Sequence, residues 1–217
     1  MIKLLIVDDQ RLIRLGLVNL FLEERGITVV DDVATGEEGV RRAKELKPDV
    51  ILMDINLPGM GGFEATRRIC LIEQGPRIIV VSSHDEEPFP SQALKAGATG
   101  YVTKSAAGRE LVAAVRKVFV GQRYISRDVA QQLALRNLDE QKTCPFEQLS
   151  NREMQIALMV VQCQKVHEIS ASLCLSPKTV NSYRYRIFEK LKVGSDVALA
   201  LMAVRYGMID PHQQQVA

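Results

Sequence analysis

Several absences narrow the reading before any motif does. No run approaches the ~18 apolar residues of a membrane span, and the opening MIKLLIVDD is too short and too lightly charged for a signal peptide, so a cytoplasmic protein is expected. The four cysteines (Cys70, Cys144, Cys163, Cys174) form no CxxC pair, which argues against a zinc or redox motif; in a reducing compartment they read as small buried hydrophobes. Net charge is low as well, at +2, yet the halves differ. Residues 1–122 carry 16 Lys and Arg against 17 Asp and Glu, whereas residues 148–217 carry 8 against 5. So small an excess does not by itself indicate nucleic-acid binding, and motif must decide. With 217 residues, 47% hydrophobic and 25% charged, the chain exceeds one typical domain, and two are expected.

What is present begins with ILMDINLPGMGG, residues 51–62: an apolar run ends in a single acid, Asp54, and a Pro/Gly loop follows. That pattern is a strand delivering a carboxylate to a loop. A second apolar run, Ile2 to Val7, ends in Asp8 and Asp9, so adjacent strands would bring three carboxylates to one edge. Three clustered acids repel one another unless a cation joins them. Mg²⁺ suits such a site because it takes hard oxygen ligands and keeps room for a phosphoryl oxygen. Two further runs end at Ser82 and just before Lys104, a hydroxyl and an ammonium able to hold a phosphoryl anion.

Between these runs the spacing is helical. Leu12, Ile13, Leu17, Leu20 and Phe21 mark a first helix closed by Gly26. Thr35 with Glu38 reads as a capping box for a helix running to Lys47. Pro88 and Pro90 delay the fourth helix to about Pro90 or Ser91, ending at Gly97, and a last helix is expected over Ala106 to Val120. Val50 to Met53 is apolar throughout, as in a central parallel strand covered on both faces. The expected fold is a doubly wound α/β domain with a five-stranded parallel sheet over residues 1–122. In such folds ligands bind beyond the carboxyl ends of the strands, where the acids, Ser82 and Lys104 fall.

Asp8/Asp9, Asp54, Ser82 and Lys104, in this order and spacing, resemble the receiver domain of two-component response regulators. The resemblance implies that Asp54 accepts phosphate from a sensor histidine kinase and that Asp8, Asp9 and Asp54 hold Mg²⁺ with the backbone carbonyl of Asn56. It also implies that Ser82 and Lys104 bind the phosphoryl oxygens and that Tyr101 is a switch turning inward. Gln10 departs from the His common after the acidic pair. An enzyme using Asp54 as a covalent nucleophile, in the manner of haloacid-type phosphatases, would need a second acid two residues on; Asn56 stands there, so no turnover enzyme is expected.

Residues 123–147 read as a linker with one short helix. Then LSNRE opens a second domain, 148–210, all-α with four helices: Ser150 and Glu153 form a capping box, a short helix spans Lys165 to Leu173, and Ser176-Pro177 starts a third helix. Val180, Tyr183, Ile187 and Leu191 share one face of that helix, with polar, basic and aromatic residues opposite. LSNRE, LSPKTVNSYRYRIFEKLKV and a last helix at Asp196 to Tyr206 resemble the LuxR-type helix-turn-helix domain of the NarL/FixJ family, and TVNSYRYR most resembles GacA/UvrY-type regulators. This implies DNA contacts from Lys178, Thr179, Asn181, Ser182, Tyr185, Arg186 and Lys190, and a homodimer when active. A hybrid kinase of the BarA/GacS type is implied as phosphodonor, and genes of small regulatory RNAs as targets. Cys163 stands where Gly is expected after the first helix of this domain, so a helix end that needs a left-handed residue is expected to be either strained or differently closed. The tail after Pro211 is expected to be disordered.

Overall fold

Six nearly all-aliphatic residues form β1 (Ile2–Val7), and in the computed structural model, which describes residues 1–106, 108–138 and 144–208, five of the six are buried. A strand apolar on both faces needs cover on both. The chain supplies it through α1 (Arg11–Leu22), β2 (Ile27–Val33), α2 (Gly36–Leu46), β3 (Val50–Met53), α3 (Gly62–Cys70), β4 (Arg77–Ser82), α4 (Phe89–Lys95), β5 (Gly100–Thr103) and α5 (Gly108–Phe119). All strand pairs are parallel, in the order β2-β1-β3-β4-β5-β6, where β6 is Tyr124–Ile125.

Alternate residues of the strands serve opposite layers. Leu4, Ile6, Leu52, Ile79 and Val81 meet Phe21 of α1 and Leu111, Val115 and Val118 of α5. Leu5, Val7, Ile51, Met53 and Ile78 meet Ala43 of α2 and Ala65 and Ile69 of α3. The Thr35 hydroxyl accepts from Glu38 N at 3.2 Å and caps α2, as its sequence predicts.

The sheet has one strand more than the five expected. Tyr124 N donates to Thr99 O at 3.2 Å and Ser126 N to Tyr101 O at 2.9 Å, so the start of the expected linker joins the sheet edge. Two residues are too few to carry a period in sequence. A helix, α6 (Arg127–Leu138), follows; linker residues 139–143 and the tail after Pro211 lie outside the described residues. The chain divides into two units, Met1–Asp85 with Gln92–Gln131 in one, and Glu86–Ser91 with the described residues from Gln132 onward in the other. No described helix is long and apolar enough to cross a membrane.

The second unit holds α7 (Asn151–Val161), α8 (Val166–Leu173), α9 (Pro177–Leu191) and α10 (Asp196–Arg205), preceded by a 3-10 turn at Pro145–Gln148. Met154, Ile156, Ala157, Ile169, Val180, Ile187, Leu191 and Leu199 fill its core. Tyr183, expected on the buried face of α9, is only half-buried, with the Arg186 guanidinium 5.8 Å from its ring centre. Cys163 takes the left-handed conformation, φ 61°. Its N–H reaches Val160 O at 2.9 Å and Gln164 N reaches Met159 O at 3.1 Å, the paired bonds that close a helix around a left-handed residue. Cys174 ends α8 in the same way at φ 51°. The expectation that the cysteines are buried holds for Cys144 alone; Cys70, Cys163 and Cys174 are exposed. Helix ends lie at the surface, and a residue placed there by backbone need keeps its side chain in solvent.

Candidate functional site

Val7 pairs with Met53 across β1 and β3, and Asp54 N extends the ladder to Val7 O at 2.8 Å, so Asp8 and Asp54 leave the sheet side by side. β4 and β5 lie next in order, and Lys104 N donates to Ser82 O at 2.7 Å. The five residues named from sequence thus meet at one edge. Carboxylate oxygens of Asp8, Asp9 and Asp54 lie within 4.8 Å of one another. The Lys104 ammonium stands 2.7 Å from Asp8 Oδ2 and 3.0 Å from Asp54 Oδ2, bridging two carboxylates that are each 2% exposed. Asp54 Oδ1 accepts from Ile55 N at 2.7 Å, and Asp8 Oδ1 from Gln10 N at 2.8 Å.

These positions set the electrostatics. Burial raises the Asp54 carboxyl above its ordinary value and Asp8 adds to the rise, while Lys104 offsets part of it. Asp9, nearer solvent, is raised by partial burial and by Asp8. Burial alone would lower Lys104, but Asp54 and Asp8 outweigh it and the ammonium is held charged. A donor set made only of carboxylate oxygens, carrying more negative charge than one lysine neutralises, fits a hard dication such as Mg²⁺.

Ser82 is fully buried at the end of β4, and its Oγ accepts from His84 N at 3.1 Å. Tyr101 is turned inward, fully buried, its hydroxyl donating to the His84 carbonyl. Asn56 is exposed, with its side-chain nitrogen 3.3 Å from His84 Nε2.

Three contributors escaped the sequence reading. Arg14 of α1 donates to the backbone carbonyls of Asp8 (2.7 Å) and Asp9 (3.2 Å) while its Nε pairs with Asp32 at 2.9 Å, so it fixes the acid loop. Gly62 packs against Asp54: a methyl group there would overlap the Asp54 carbonyl oxygen and sit 2.8 Å from its carbonyl carbon. His84 joins Ser82, Asn56 and Tyr101. Of these only Gly62 left a sequence signal, the doubled glycine after Met60.

In the second unit, Lys178, Ser182, Tyr185 and Arg186 are exposed on α9, and Tyr185 is 72% exposed. Thr179 and Asn181 are half-buried flanks, the Thr179 hydroxyl 2.8 Å from that of Ser176 and Asn181 Oδ1 accepting from Arg184 at 3.0 Å. Lys190 is placed differently from the expectation that it meets phosphate. Its ammonium lies 2.6 Å from Glu153 Oε2, and its backbone carbonyl accepts from Gln148 at 2.7 Å, so it fastens α9 to the start of α7.

Residues 4–116 match the response regulator receiver domain, and residues 147–203 match the bacterial regulatory proteins of the luxR family. The strand-edge acid cluster and the four-helix unit therefore belong to a two-component response regulator with a LuxR-type DNA-binding domain. The chain is 54% identical over 211 residues to the response regulator GacA of Pseudomonas syringae, covering 97% of this chain and 99% of that one. It is 48% identical to UvrY of Escherichia coli, covering 96% of each. With relatives this similar over nearly full length, the chain belongs to the GacA/UvrY group of response regulators. A LuxR-family two-component regulator structure from Aurantimonas superposes with a TM-score of 0.61 at 38% identity, covering 64% of this chain and 99% of that one.

Proposed function

We propose that Asp54 is the phosphoacceptor through which a sensor histidine kinase controls DNA binding by α9. The observation that carries this reading is the Lys104 ammonium shared between Asp54 and Asp8. Both carboxylates are buried and flanked by that cation, and Asp54 is the one whose strand adjoins β4, which ends in the buried Ser82. In the transfer, an Asp54 oxygen attacks the phosphorus of phosphohistidine, the P–N bond breaks and the imidazole leaves. Asp8, Asp9, Asp54 and the Asn56 carbonyl would hold Mg²⁺, which supplies charge neutralisation for the transferring group. Lys104 and Ser82 bind the phosphoryl oxygens, and Tyr101, held inward by the His84 carbonyl, is the switch side chain. The protein works in the cytoplasm as a transcription regulator and is not a stand-alone enzyme.

The resemblance to GacA and UvrY supports a BarA/GacS-type hybrid kinase as phosphodonor and small regulatory RNA genes as targets. On α9, Lys178, Thr179, Asn181, Ser182, Tyr185 and Arg186 face base edges and phosphates. Val197, Leu201 and Val204 form an exposed apolar stripe on α10, at 69%, 67% and 39%, and support a homodimer reading two half-sites about one helical turn apart. Footprinting with and without acetyl phosphate and Mg²⁺ tests the reading. Protection should strengthen on phosphorylation in wild type and stay unchanged in Asp54→Asn; equal protection under all conditions would contradict it.

A further inference from the structure

Arg14 lies on the first turn of α1 with its side chain only 15% exposed, folded back over the loop that carries the acid pair. Its Nη1 donates to the backbone carbonyls of Asp8, at 2.7 Å, and Asp9, at 3.2 Å, while its Nε is anchored 2.9 Å away on Asp32 of β2. Asp8 is also held from the other side, its N–H donating to Val33 O at 3.1 Å. The backbone from Asp8 N to Asp9 O is thus pinned at both carbonyls and at the first amide by bonds to α1 and β2.

The side chains on that backbone are not held alike. The Lys104 ammonium ties Asp8 to Asp54, but the ion pairs among the described residues leave out Asp9, which is exposed at the rim. Three carboxylates whose oxygens lie within 4.8 Å of one another repel, and the one at the rim has most room to swing away. What limits that swing is the backbone Arg14 holds. Mg²⁺ demands near-ideal octahedral geometry at short distances, whereas the larger Ca²⁺ accepts oxygens in a flexible arrangement, so the rigidity of the ligand set helps decide between them.

We propose that Arg14, anchored on Asp32, is a positioning residue that favours Mg²⁺ over Ca²⁺ at the acid cluster by holding the backbone of Asp8 and Asp9. This rests on the reading of Asp8, Asp9 and Asp54 as the ligands of Mg²⁺. Arg14 acts through those residues and does not itself meet the ion, being a cation that Asp32 balances.

The test is calorimetric titration of the full-length protein with Mg²⁺ and, separately, with Ca²⁺, comparing wild type with Arg14→Met, Arg14→Lys and Asp9→Asn well below their melting temperatures. In Arg14→Met the Mg²⁺ affinity should fall about tenfold, the scale typical of residues that orient metal ligands, and the Ca²⁺ affinity by less, so the ratio of the two shifts towards Ca²⁺. A role through charge alone predicts tighter binding of both dications, because a nearby cation is removed. A role in stability alone leaves both affinities of the folded protein as in wild type. Either of these results, or an equal loss for the two ions, overturns the proposal. Arg14→Lys keeps the charge and loses the forked donor; it should shift the ratio in the same direction, and it decides if Arg14→Met fails to fold. If wild type binds no Mg²⁺, or Asp9→Asn binds it as tightly as wild type, the reading of the acid cluster fails and the proposal with it. If Asp9→Asn loses Mg²⁺ affinity while Arg14→Met keeps it, the proposal fails alone.

Discussion

Gly62 brings its bare Cα against the backbone carbonyl of Asp54, and a Cβ there would overlap that oxygen. The neighbour is backbone, which cannot turn aside as a flexible side chain could. Gly62 N also donates to Ile55 O at 3.0 Å, so the loop after β3 is drawn back over its own acid. Gly62→Ala should therefore lose about 1–3 kcal/mol of stability and displace Asp54, lowering phosphorylation at equal folded concentration. Gly16, exposed within α1 with nothing near its Cβ position, is the control. Gly16→Ala should gain roughly 0.5–1 kcal/mol in thermal unfolding and label normally.

Asp54 is costly to the fold when ionised. Burial, then Asp8, raises its carboxyl above the ordinary 3.8 despite Lys104. A raised acid binds its proton more readily folded than unfolded, so its ionised form destabilises at neutral pH, and that penalty fades as pH falls through the raised value. In EDTA at neutral pH, Asp54→Asn should melt above wild type. The gap should narrow on acidification, and also on adding Mg²⁺, which has the full acid cluster to bind only in wild type. A lower melting temperature for Asp54→Asn under those conditions would contradict this.

Glu153 and Lys190 give the opposite sign. Glu153 is 4% exposed; burial would raise it, but the Lys190 ammonium and Ser150 outweigh that and leave it below the ordinary 4.5. Its stabilising contribution is present above 4.5 and is lost as pH falls through the lowered value. Lys190→Ala strands a buried carboxylate and should cost about 1–3 kcal/mol, seen as a lower melting temperature that recovers partly in Lys190→Arg.

Cys163 holds φ 61° at the end of α7. A side chain in that region costs roughly 1–2 kcal/mol, part of which glycine gives back as unfolded-chain entropy. Cys163→Gly should raise stability by about 0.5–1 kcal/mol, and Cys163→Ala should not; calorimetry distinguishes them.

Much of the site was legible because its parts sit where hydrophobic runs stop. Ile2–Val7 and Val50–Met53 are buried enough to be continuous in sequence, so the acids that follow each stand out. Ser82 and Lys104 could be placed by the same argument, since a parallel sheet brings successive strand ends to one edge. Cys163 was legible as a departure from the expected Gly, and the structure decides between a left-handed and a differently closed helix end in favour of the former, at φ 61°. β6 was not, because two residues show no alternation and its place depends on hydrogen bonds to Thr99 and Tyr101 far back in the chain. The Lys190 pairing was not legible for a similar reason: Glu153 already looked committed to capping α7, and nothing local shows that its carboxylate also takes an ammonium 37 residues away. Arg14 left no signal, since at the acid loop it holds backbone carbonyls, which leave no pattern.

Intact mass after incubation with acetyl phosphate and Mg²⁺ tests the central assignment most directly. Wild type should gain one phosphoryl group, and Asp54→Asn none, because an amide oxygen cannot serve as the nucleophile; omission of Mg²⁺ should reduce the wild-type signal. Equal labelling of wild type and Asp54→Asn would contradict the account.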